Sequence, residues 1–103
     1  MSSPNKKESS FQSKLIKELE NLFPGCIIVK NDSTYLQGVP DLTILYNDKW
    51  AMLEVKKSES ASFRPNQKYY ISKMNEMSFC RAIYPENKSE VLDALQRSFG
   101  VKR

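Results

Sequence analysis

The stretch Gly38-Val-Pro-Asp-Leu-Thr-Ile-Leu-Tyr-Asn-Asp-Lys-Trp-Ala-Met-Leu-Glu-Val-Lys56 decides the fold. Two strand-like runs, Asp41 to Tyr46 and Trp50 to Lys56, flank the polar Asn47-Asp48-Lys49, which predicts an antiparallel hairpin. Asn-Asp is a weaker turn signal than Asn-Gly. With the turn centred between Asn47 and Asp48, facing residues have numbers that add to 95, so Asp41 faces Glu54. Their Cβ atoms are then about 4.5 to 5.5 Å apart on one side of the hairpin. Lys56, two residues beyond Glu54, shares that side. An odd-length turn without a compensating bulge sends the two carboxylates to opposite faces instead.

Like charges placed face to face destabilise a hairpin unless a proton or a cation relieves them. Two carboxylates at this spacing, with the Val55 carbonyl and water, are the hard oxygen ligands that Mg²⁺ or Mn²⁺ prefers. Lys56 is then placed to orient or deprotonate an attacking water, or to neutralise charge on a phosphate. The plainer alternative is an exposed Glu54–Lys56 pair on an amphipathic strand. Thr43, Leu45, Trp50 and Met52 continue the same face, which predicts that the charged cluster ends a substantially buried surface.

Outward from the hairpin, helical spacing of Phe11, Leu15, Ile16, Leu19, Leu22 and Phe23 predicts a first helix. Ser9 and Gln12 suit a capping box at its start, and Pro24-Gly25 a stop. Cys26 to Lys30 reads as a short buried strand, followed by turn-type residues from Asn31 to Thr34. After the hairpin, Pro65 suits the first turn of a second helix lined by Tyr70, Ile71, Met74 and Met77. Phe79 to Tyr84 gives a fourth strand. Asn87 and Glu90 suit the cap of a last helix with Val91, Leu92, Leu95 and Phe99 inward and Gly100 as its stop. The order is αβββαβα. A strand, a crossover helix and another strand predict a parallel pair beside the hairpin, hence a mixed α/β sheet flanked by helices.

At 103 residues the chain is expected to hold one domain, residues 8–103, preceded by a flexible basic arm at residues 1–7 with Lys6 and Lys7 available to a phosphate. Two cysteines, Cys26 and Cys80, each in an apolar run, are too few for a disulfide scaffold and predict buried free thiols. No run approaches the roughly 18 apolar residues of a membrane span, and the polar start lacks a signal peptide's apolar core, so a cytoplasmic location without membrane association is expected. A formal charge of +4 favours polyanionic partners. Histidine is absent, which excludes imidazole-based nucleases, triads with an imidazole base, and two-Cys two-His zinc modules.

Pro40-Asp41 followed by Glu54-Val55-Lys56 across a strand-turn-strand interval resembles the PD-(D/E)xK nucleases, whose restriction-endonuclease-like core has the same element order. More narrowly, Gly38 to Leu42, Leu53 to Lys57 and Arg64-Pro-Asn-Gln67 resemble the standalone VRR-NUC (virus-type replication-repair nuclease) domains of phages, over about Glu8 to Leu95. The resemblance implies Mg²⁺- or Mn²⁺-dependent phosphodiester hydrolysis, with Asp41, Glu54 and the Val55 carbonyl as ligands and Lys56 as the catalytic lysine. It adds Glu8, at the start of the first helix, and Gln67, at the start of the helix after the lysine. Helix-dipole placement is the simpler account of Glu8, and a solvated first-turn position that of Gln67. The family's QxxxY signature is not met, because position 71 is Ile. Glu18 and Glu20 sit later in the helix and are weaker candidates.

Lys57, Arg64 and Lys68 follow the active strand and, with Lys30 and Lys73, are expected to form a basic rim on DNA. Tyr35, in the linker from Asn31 to Gln37, is expected to contact backbone or stack on a base. No base-reading motif is present, which favours recognition of DNA shape. The resemblance implies cleavage of Holliday junctions or related branched DNA, in a bacterial host's cytoplasm if phage-encoded, and a homodimer matches a two-fold substrate. Two alternatives are a non-catalytic nucleic-acid-binding module on the same fold and a small restriction or homing-type endonuclease.

Overall fold

The computed structural model describes residues 6–101. Its elements are α1 (Lys6–Leu22), β1 (Ile27–Lys30), β2 (Leu42–Tyr46), β3 (Lys49–Val55), α2 (Gln67–Met77), β4 (Phe79–Ile83) and α3 (Lys88–Ser98), with a 3-10 turn at Pro85–Asn87 before the last helix. The expected order and mixed α/β class are both present. The four strands lie in the order β1-β2-β3-β4, antiparallel from β1 to β3 and parallel between β3 and β4.

The hairpin has the expected register. Tyr46 pairs with Lys49 and Leu42 with Leu53, so facing residue numbers add to 95 throughout the ladder. Asn47 reverses the chain at φ 55, in the left-handed region that asparagine enters at lower cost than most residues.

Side chains alternate across the sheet and divide the molecule into two unequal halves. One face presents Leu42, Ile44, Ala51, Leu53, Val55, Phe79 and Ile83, and these join Leu15, Leu19 and Phe23 with Val91, Leu92, Leu95 and Phe99 in one core. Thus α1 and α3 cover the same side. Phe23 meets Tyr46 and Phe99 at ring-centroid distances of 5.3 and 5.1 Å, which closes this core at the turn end of the hairpin. A surface ion pair of 2.9 Å between Lys88 and Glu18 also joins the two helices.

The other face is covered only in part. There α2 packs on β4 and reaches Glu54 through Gln67, leaving the β1–β2 side open. Ile27, Val29 and Leu45 are 60%, 43% and 41% exposed. The expected buried first strand is therefore an edge strand that starts at Ile27 with an open apolar face. The hairpin face is likewise less covered than expected: Thr43, Trp50 and Met52 are half-buried, and burial is deepest at Glu54. A single helix over four strands cannot shield the whole surface.

Four local expectations are corrected. α1 starts at Lys6, so Ser9 and Gln12 lie inside the helix, and Lys6 and Lys7 form its first turn; the rest of the expected arm lies outside the described residues. Cys26 is half-buried ahead of β1, whereas Cys80 is the buried free thiol expected. Met77 is exposed, and the buried residue of α2 is the polar Gln67. Asn87 does not cap α3 with its side chain. Its Oδ1 accepts from the Tyr84 N–H and its Nδ2 donates to the Ala82 carbonyl, which fixes the exit from β4.

Among the described residues no helix is long and apolar enough to cross a membrane.

Candidate active site

The site forms where the hairpin ends and the sheet is most deeply covered. Asn31, one residue past β1, anchors the start of β2. Its N–H donates to the Asp41 carbonyl at 2.8 Å, its Nδ2 donates to the Pro40 carbonyl at 2.8 Å, and its Oδ1 accepts from Thr43 Oγ1 at 3.0 Å. Asp41 is thereby held in line with the strand. Its Oδ2 accepts the Val55 N–H at 2.8 Å, so the carboxylate ties β2 to the end of β3. One step beyond the Leu42–Leu53 pair, the same register sets Asp41 against Glu54. The Lys56 N–H continues the parallel ladder onto the Ile83 carbonyl at 2.9 Å, which fixes the backbone that carries the lysine.

Glu54 and Lys56 are 2% and 6% exposed, so neither is a surface charge, and the amphipathic-strand alternative fails for this pair. Gln67 joins them. Its Nε2 donates to Glu54 Oε2 at 2.9 Å, while its Oε1 accepts from Lys56 Nζ at 2.8 Å and from the Arg64 N–H at 2.7 Å. Two donors on Oε1 leave one orientation of the amide consistent with the network. Lys56 Nζ also donates to the Ser62 carbonyl at 3.0 Å and stands 3.6 Å from Glu54 Oε2 and 4.8 Å from the centroid of Phe63. Two of its three N–H groups are used on the protein, and the third is left for Glu54 or a reactant.

The helix that supplies Gln67 is seated by a close backbone approach. Asn66 precedes α2 at φ 71, and Gly38 sits against it at φ 93. A Cβ on Gly38 would stand 2.7 Å from Asn66 Cβ, so only glycine lets the linker before Asp41 touch the loop before Gln67.

The electrostatics follow from this burial. Glu54 is pushed up to about 8, first by desolvation and then by the Asp41 charge, against the opposing pull of Lys56. Asp41 is also raised by desolvation, offset chiefly by the Val55 N–H. Hydrogen bonding between the two carboxyls requires a shared proton. Without it, Glu54 Oε1 is buried with no hydrogen-bond partner. A proton, a cation or an ordered water satisfies that oxygen, because an unpaired buried carboxylate oxygen is costly.

The donor set fits a hard divalent cation. Among the described residues no group of three His, Cys, Asp or Glu side chains forms a complete cage. Mg²⁺ does not need one, since it retains water and takes one or two carboxylates together with substrate oxygens. Asp41 and Glu54 would supply the carboxylates for such an ion, and the Val55 peptide, anchored to Asp41 through its N–H, lies beside them.

Glu8, half-buried near the start of α1, is brought to this site. Its carboxyl is raised by desolvation and by Asp41, and Lys56, Arg64 and Lys57 act on it in the opposite direction. Glu18, in contrast, pairs with Lys88.

No protein-family model, curated protein or solved structure matches this chain.

The expected basic rim divides. Lys57 is exposed and lines a groove with Lys6, Lys7, Lys14 and Phe11. Arg64 and Lys68 are exposed beside the Glu54–Lys56–Gln67 cluster, and Lys68 Nζ lies 5.4 Å from the Phe63 centroid. Lys30 pairs with Leu42 and so projects on the opposite side of the sheet from Glu54. Tyr35 is 90% exposed on the linker, and Lys73 is exposed on α2. Asn31, Ser62 and Phe63 were not legible as site residues, because their parts are played by a turn amide, a loop carbonyl and a ring face without any sequence motif.

Proposed function

We propose that this protein is a Mg²⁺- or Mn²⁺-dependent endodeoxyribonuclease of the PD-(D/E)xK type, close to the standalone VRR-NUC domains, acting on branched DNA such as Holliday junctions in the cytoplasm. The observation that carries this reading is the buried Glu54 beside the half-buried Asp41, with Glu54 Oε1 lacking a partner and Lys56 fixed alongside. Two facing carboxylates, one of them fully buried, are the kind of local conflict expected of a functional site.

In this reading Asp41, Glu54 and the Val55 carbonyl hold the metal ion. When bound, it polarises the scissile phosphate and lowers the pKa of a coordinated water. Lys56 directs an N–H at the attacking water or at a non-bridging phosphate oxygen, countering the charge that develops there. Gln67 holds Lys56 and Glu54 in register through one amide. Arg64, Lys57 and Lys68 bind flanking phosphates. Glu8 adds a carboxylate at the edge of the site, suited to accept a hydrogen bond from the attacking water.

A homodimer suits a two-fold junction, and the open Ile27, Val29 and Leu45 surface beside the β1 edge offers a self-complementary contact. The test is incubation with linear, flapped and four-way DNA in Mg²⁺, Mn²⁺ or EDTA. Metal-dependent cutting, strongest on four-way DNA, is expected. Binding of all three without cutting in either metal would identify a non-catalytic module, and preference for linear duplex at one sequence would identify a restriction-type enzyme.

A further inference from the structure

An open cleft of about 820 Å³ lies beside Lys56, between the loop after β3 and the first turn of α2. Its lining includes Glu59, Phe63, Arg64, Lys68 and Tyr69. That volume falls in the range of about 300–1,000 Å³ typical of small-ligand sites. We propose that this cleft is a subsite for an unpaired nucleotide of DNA, with the base stacked on Tyr69 and its phosphate held by Lys68 and Arg64. The inference rests on the nuclease reading above for its substrate class and adds that the DNA is unpaired next to the scissile bond.

Three observations support it. Tyr69 is 61% exposed at the start of α2, and the Tyr70 ring meets it edge-on at 5.1 Å and 72°, so a large π surface is steadied while it faces water. Stacking on such a platform tolerates any base but requires one that is not covered by its neighbours in a duplex. Second, the cleft and the catalytic cluster share Phe63, whose ring centroid lies 4.8 Å from Lys56 Nζ and 5.4 Å from Nζ of the cleft-lining Lys68. A nucleotide in the cleft is therefore adjacent to the phosphate that Lys56 would meet.

Third, Arg64 lines the cleft and also acts electrostatically on Asp41 and Glu8, which joins the two places through one cation. The lining carries two cations, Arg64 and Lys68, and one carboxylate, Glu59, and since Glu8 and Asp41 draw on Arg64 from the site side, Lys68 is the principal phosphate contact. Glu59 is suited to accept from an exocyclic amine of the base. An acidic peptide would use the same two cations but would gain nothing from an exposed ring at Tyr69.

The test reads binding without catalysis. A short single-stranded oligonucleotide carrying 2-aminopurine is titrated into the full chain in EDTA, with blunt duplex of the same sequence and a poly-glutamate peptide as parallel probes. The expected result is 2-aminopurine quenching, about a tenfold loss of single-strand affinity in Tyr69→Ala, and retention in Tyr69→Phe. Met77→Ala, at the exposed far end of the same helix, is expected to bind as the unaltered protein does. Equal affinity of Tyr69→Ala and the unaltered protein for the single strand overturns the subsite, as does an equal loss toward duplex or tight binding of poly-glutamate that ignores Tyr69. Tyr69-dependent quenching by a protein that cuts no DNA would sink the nuclease reading alone. Cutting with Tyr69-independent binding would sink the subsite alone.

Discussion

At the scale of single residues, the site depends on how few partners its charges have. Among the described residues Gln67 is the side chain that hydrogen-bonds both Glu54 and Lys56, and it is 8% exposed. Gln67→Ala leaves both groups short of a buried partner, so a stability loss of about 1–3 kcal/mol is expected from urea midpoints, with roughly 10- to 100-fold slower cleavage from a misplaced Lys56. Unchanged cleavage would make Gln67 merely structural. Protonation gives a second prediction. Glu54 is raised from 4.5 to about 8 in the folded protein, and Asp41 is raised as well. A raised carboxyl binds its proton more tightly folded than unfolded, so its stabilising contribution is complete below about 4.5 and is lost as pH rises through about 8. The metal-free protein should therefore weaken across that window, and Glu54→Gln should flatten the trend. Asp32 and Asp48 shift the opposite way, but only at the acid end, below their ordinary value of 3.8. Added Mg²⁺ or Mn²⁺ should restore stability most at the alkaline end, where both carboxylates are ionised. Stability of the metal-free protein that rises from pH about 5 to about 8 would contradict this electrostatic picture.

At the scale of elements, the hairpin was legible and its surroundings were less so. A period of two and a two-residue turn are local properties, so the pairing of Leu42 with Leu53 and the placing of Asp41 toward Glu54 could be read from spacing alone. Which strands are covered is not local. Cys26 to Lys30 has the composition of a buried strand, yet β1 ends the strand order, and its face stays open because α2 docks over β4 at the far side of the sheet. The same applies to Met77, which follows the apolar spacing of α2 but stands exposed at its last position. Gly38 shows the limit most clearly. It stood in a recognisable string, but its role, contact with Asn66 at the start of α2, joins two loops that sequence spacing does not relate. Gly38→Ala must adopt φ 93 with a Cβ and displace Asn66. A loss of about 2 kcal/mol or more in urea unfolding is expected, along with reduced cleavage because Gln67 follows Asn66. If stability falls and the activity of the folded fraction does not, the link from Gly38 to the catalytic cluster is wrong.

At the scale of the whole molecule, one face of the sheet builds the core and the other is divided between chemistry and open apolar surface. That division explains why a chain of 103 residues can hold a buried charged site without losing its core: Glu54 projects across the sheet from the α1–α3 side, and α1 reaches the site only with Glu8 in its first turn. It also leaves Ile27, Val29 and Leu45 uncovered. Ile27→Lys combined with Leu45→Lys is expected to convert a homodimer to monomer in sedimentation while the monomer stays folded. A monomeric unaltered protein would remove the two-fold match to a junction. The central claim concerns Asp41, Glu54 and Lys56, and single-turnover cleavage of four-way DNA in Mn²⁺ by the unaltered protein, Asp41→Ala and Lys56→Ala tests it most directly. The prediction is cleavage that EDTA abolishes and that each substitution slows by about 100-fold or more; cleavage that persists in EDTA, or survives both substitutions, would contradict it.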